Sequence, residues 1–148
     1  MARYSIVTVV TLFAALVFSP GTVLADTNNT MNYIVTNPSV PDSELTKQQI
    51  RAIYLGQRTH WSNGSKIVLI IFPPSEVKHS NFVKYSLGLY PYQYKRRWQK
   101  LEFSGFGVKP IEVSSDEEMF EMVASLPGAI GYVEENVIFE GVNYASLK

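Results

Sequence analysis

No cysteine occurs among the 148 residues. That excludes disulfides, thiol nucleophiles and cysteine zinc sites, so the folded chain is held by packing alone. Histidine is almost as scarce. His60 and His79 are the only two, and neither belongs to a His-x-x-x-His pair or a carboxylate box, so no metal site is indicated. An excess of either charge is missing too, with 13 Lys and Arg against 13 Asp and Glu. A nucleic-acid surface normally needs a strong basic excess, so no nucleic-acid partner is expected. Long apolar runs are absent beyond residue 18. No cofactor motif is present either: Gly105-x-Gly107 lacks a third glycine, since Pro110 stands in that place, and it reads as a turn.

The one long apolar run, Ile6 to Phe18, follows Arg3 and ends at Pro20-Gly21; Val23-Leu24-Ala25 then supplies a cleavage site. The run is shorter than the roughly 20 apolar residues that span a bilayer. Residues 1–25 therefore read as a signal peptide, leaving Asp26 as the first mature residue and no stable membrane anchor after cleavage. The expected location is the periplasm. Residues 26–148 are the right length for one domain with one core, and no repeat or linker divides them.

The chain is organised around Leu126-Pro127-Gly128-Ala129-Ile130-Gly131-Tyr132-Val133. Pro127 and Gly128 stop an amphipathic run, and a short apolar strand follows. Gly131 inside that strand implies a close approach, by another backbone or a ligand, or by a helix packed on a tight corner. Upstream, Tyr33 to Thr36 is β-prone, and Thr46 with Gln49 has capping-box spacing before a helix whose face carries Ile50, Ile53 and Tyr54. Ile67 to Phe72 is a continuous apolar run, as in a strand covered on both sides. Ser75 is placed to cap the next helix, with Val77, Phe82, Val83 and Leu87 as its inner side. Pro91 suits the first turn of a further helix with Tyr94, Trp98 and Leu101 inward, and Phe103 to Gly107 reads as a turn. Lys109 to Val113 is a strand, Ser115 and Glu118 repeat the capping box, and Val137 to Tyr144 suits an edge strand. Strands alternating with helices imply an α/β layer with a largely parallel central sheet flanked by helices.

Several of these stretches together resemble one family. Leu45-Thr46, Ile53-Tyr54-Leu55-Gly56, then Trp61 with Asn63-Gly64, are similar to an early run of phosphate-binding-protein-like domains, the type II periplasmic solute-binding proteins of phosphate ABC transporters. Trp98 to Gly105 resembles a segment of the short, single-lobe members, and Pro127-Gly128-Ala129-Ile130-Gly131-Tyr132 resembles the family's ending. The resemblance runs from Tyr33 to Val133 and implies a single lobe of a type II binding protein.

In that family the strand matching Ile67–Phe72 leads into an arginine and a Ser-Gly-Thr that grip phosphate. Here Phe72 and Glu76-Val77-Lys78 stand in those places, so the guanidinium fork and small-residue cradle are gone, and Glu76 repels an anion. Ser75, Lys78, His79 and Ser80 are the candidate ligand-binding residues that remain, against the alternative of an ordinary capped helix with solvated charges. Two functions follow. The first is a non-enzymatic solute-binding module, weakly holding a small oxyanion such as phosphate. The second is a degenerate lobe that binds a protein partner, such as a periplasmic sensor or an ABC transporter. No nucleophile–base pair is visible, since His79 and Ser80 are neighbours that point apart on a helix.

Overall fold

A computed structural model describes residues 32–105, 109–135 and 138–147. The signal peptide expected at 1–25 lies outside them. In chain order the elements are β1 (Tyr33–Thr36), β2 (Glu44–Leu45), α1 (Lys47–Tyr54), β3 (Val68–Ile71), α2 (Val77–Asn81), α3 (Pro91–Ser104), β4 (Ile111–Glu112), α4 (Asp116–Ser125), β5 (Ala129–Val133) and β6 (Asn143–Leu147). Strand order across the sheet is β2-β6-β1-β5-β3-β4. β2 runs parallel to β6, and β3 runs parallel to both β4 and β5, whereas β1 is antiparallel to both its neighbours. Five strands therefore share one direction and β1 alone opposes them. This is the largely parallel sheet the alternating pattern implies, made mixed by its first strand.

The helix starts follow the capping chemistry. Thr46 Oγ1 accepts from Gln49 N at 3.1 Å and Gln49 Oε1 accepts from Thr46 N at 2.8 Å, closing a capping box on α1. At α4 the arrangement differs from the expected box. Ser115 Oγ accepts from Glu118 N, but the Glu118 carboxylate reaches past it to Ser114 N at 2.7 Å. Pro91 opens α3 as anticipated. That helix continues through Phe103 and Ser104, which the sequence had suggested for a turn, and Gly105 ends it at φ 70°.

Two further boundaries move. Of the strand expected over Val137 to Tyr144, Val137 lies outside the described residues; β6 begins at Asn143 and lies between β1 and β2 instead of at an edge, because the two-residue β2 closes the sheet outside it. β4 shrinks to Ile111–Glu112.

Successive side chains on a strand face opposite ways. Gly131 faces α4, where a β-carbon would strike Met119 Sδ and crowd Val123 Cγ2. Tyr132 faces the other way, stacked on Phe82 at 3.7 Å and edge-on to Tyr54 at 5.9 Å. Helices thus cover both faces of β5, all five of whose residues are buried. Of the two readings of Gly131, close packing of a helix is the one observed.

Gly128, at φ 77°, joins α4 to β5, and a β-carbon there would collide with the Lys66 carbonyl. Its own carbonyl accepts from Trp61 Nε1 at 2.9 Å and Val68 N at 3.0 Å, while its N–H donates to Ser39 Oγ at 2.9 Å. The Pro-Gly break is therefore where three loops meet.

Candidate functional site

The candidate residues lie at the corner between β3 and α2. Phe72 leaves the strand and is buried; Pro73 and Pro74 turn the chain, and α2 starts after Glu76. Glu76, not Ser75, is the N-cap residue, and its side chain makes no capping bond. α2 passes directly into a π-helical turn, Phe82–Ser86, with Leu87 N bonded to Phe82 O at 3.2 Å. The wider turn brings the consecutive residues Phe82 and Val83 both to full burial, while Val77, expected inside, is 71% exposed.

The four sequence candidates do not converge. Ser75 is exposed and Ser80 half-buried. Lys78 Nζ is 2.6 Å from Asp116 Oδ2 at the start of α4, and 5.3 Å from the centre of the Phe72 ring. His79 points inward, 2% exposed, with Nδ1 2.9 Å from Tyr132 Oη. Burial lowers the His79 pKa to about 4, so the ring is neutral at physiological pH and carries no charge for an anion.

Around that ring sits a closed aromatic cluster. Tyr132 Oη accepts from Phe72 N at 3.2 Å, Phe72 and Tyr132 meet edge to face at 5.6 Å, and Tyr94 stands edge-on to His79 at 5.0 Å. Burial raises the pKa of Tyr54, Tyr94 and Tyr132, keeping all three phenols neutral. The hydroxyl of Tyr54 is buried without a hydrogen-bond partner among the described residues.

α3 locks onto α1 nearby. Trp98 Nε1 donates to Tyr54 O at 3.0 Å and Arg97 Nε to Leu55 O at 3.0 Å, so the last carbonyls of α1 are capped by side chains from α3. Sequence reasoning missed Asp116 and Tyr132 as corner residues. Tyr132 was legible in part, since strand alternation sets it opposite Gly131. The Lys78–Asp116 pair joins elements far apart in the chain, and no local signal marks it. Among the described residues no group of three His, Cys, Asp or Glu side chains is arranged to hold a metal ion, and no helix is long and apolar enough to cross a membrane.

No protein-family model matches the chain, and no curated protein matches it in sequence. Solved structures do match. An ABC-type phosphate transport receptor from Vibrio cholerae aligns over 78% of this chain and 45% of its own, at 20% identity and a TM-score of 0.61. A phosphate ABC transporter substrate-binding protein from Clostridium perfringens, solved with bound phosphate, aligns over 78% and 44%, at 18% identity and a TM-score of 0.63. PstS from Borrelia burgdorferi aligns over 78% and 46%, at 20% identity and a TM-score of 0.56. The chain therefore has the fold of part of a phosphate-transporter substrate-binding protein, and its matched part spans less than half the length of those neighbours.

Proposed function

We propose that this chain is an exported, non-enzymatic binding-protein-like module that works by binding a protein partner in the periplasm, the exterior domain of a sensor or transporter being the class that suits it. One observation carries the reading: the β3–α2 corner is filled. Phe72 and His79 are buried, His79 is uncharged, and the ammonium of Lys78 is taken by Asp116. With Lys78 paired, the described residues of the corner offer an oxyanion little beyond backbone N–H groups, and contacts from one lobe come from one side only.

A second reading keeps a weak oxyanion site there, with Ser75, Ser80 and a Lys78 released from Asp116 as donors and His79 only as a buried support. What favours it is the start of α2, where no side chain caps the first N–H groups. Melting scans separate the two. A binder gains about 2.7 kcal/mol at a hundredfold ligand excess over Kd. The partner reading expects no shift with millimolar phosphate or sulfate, and a discrete envelope-protein adduct from a photocrosslinker placed at exposed Ser75. A saturable rise in Tm with phosphate, abolished by Lys78→Ala, would replace it with the oxyanion reading.

A further inference from the structure

Away from that corner, a groove of about 260 Å³ opens beside the sheet. Its origin is the shortness of β4, which pairs only with Ile70 and Ile71 and leaves the earlier residues of β3 without a β4 neighbour. The ends of α1 and α3 form the opposite wall. The floor is apolar, made by Leu69, Trp98, Leu101 and Ile111. The rim is cationic: Arg58, Lys66 and Lys109 line it, and among the described residues no Asp or Glu does. Arg58 is in ion-pair contact with Asp42, and Lys66 and Lys109 are the rim cations that form no ion pair among the described residues. Both are exposed.

We propose that this groove binds a small carboxylic acid with an apolar body, a short alkyl chain or a single ring. The body lies on Leu69, Leu101, Ile111 and the Trp98 ring, and the carboxylate stays at the rim, held by the Lys66 and Lys109 ammonium groups. The volume suits this class. It is below the range of drug-sized pockets, which begins at about 300 Å³, and too small for an extended polymer. The charge pattern selects an anion over an alcohol or amine of the same shape, and the apolar floor selects against inorganic phosphate, which has no surface to place there. This inference does not depend on the partner reading, because the groove and the β3–α2 corner lie at different ends of β3.

Titration with butanoate, hexanoate and octanoate, followed by tryptophan emission and methyl chemical shifts, tests it. Affinity is expected to rise about three- to fourfold per added methylene until the groove is filled. Shifts are expected to concentrate at Leu69, Leu101 and Ile111. Octanol is expected to bind about five- to tenfold more weakly than octanoate, and octylamine not measurably. Lys66→Glu combined with Lys109→Glu, both exposed and so compatible with the fold, should remove the preference for octanoate over octanol while leaving octanol binding unchanged. Equal binding of acid, alcohol and amine, a flat chain-length series, or shifts that map elsewhere would each overturn the proposal.

Discussion

Two tyrosines in one cluster should respond in opposite directions to loss of the hydroxyl. Tyr132 Oη serves both Phe72 N and His79 Nδ1, so Tyr132→Phe leaves buried polar groups unpaired and should cost about 1–3 kcal/mol. The Tyr54 hydroxyl has no partner among the described residues, so Tyr54→Phe should be neutral or stabilising by up to about 1 kcal/mol in urea unfolding. Equal losses from both would mean that the cluster is not bonded as described. His79 supplies a pH test. The unfolded chain takes up the proton near 6.5 and the folded one only near 4, so the unfolded state gains it first as pH falls. Stability from this group is complete above 6.5 and should decline by about 1.4 kcal/mol per pH unit between roughly pH 6 and 5. His79→Gln should flatten that slope in urea titrations. The sequence offered His79 as an anion-binding candidate with Ser75, Lys78 and Ser80, and the structure turns it inward instead. Its inward direction depends on Tyr132 and Tyr94, which come to it from other elements, and local spacing does not contain that information.

Helices and strands were more legible than the site they surround. Thr46, Gln49, Pro91 and Ser115 marked three helix starts because capping is chemistry between near neighbours. Boundaries set by distant contacts were not legible: β6 starts at Asn143 because β1 and β2 fix its register, and α2 gives way to a π turn that no local pattern announced. The glycine in β5 was visible as an anomaly, and its cause required the packed helix. Gly131→Ala should push on Met119 and Val123 and cost about 1–3 kcal/mol. Combined with Met119→Ala, the total should fall short of the sum of the two single changes by at least about 0.5 kcal/mol, because the smaller side chain makes room for the new methyl. Strict additivity in a double-mutant cycle would show that α4 does not rest on that face of β5.

On the scale of the molecule, the reversed first strand joins the two halves of the sheet. β1 takes β5 on one side and β6 on the other, with Tyr33 opposite Val133 and Thr36 opposite Asn143. Deleting residues 143–147 would strip one edge of β1 and leave β2 without its pairing, so the cooperative urea transition should be lost or its midpoint sharply lowered, with amide exchange in β1 accelerated. Retention of a full transition would show that β6 is a dispensable attachment. The same arrangement has a consequence for synthesis. Ribosomes add about 5–20 residues per second, so β1 waits roughly 5–20 seconds for strands translated about a hundred positions later. Until then its edges stay open and the nascent polypeptide remains threadable, a state that a translocation channel accepts and a finished sheet does not.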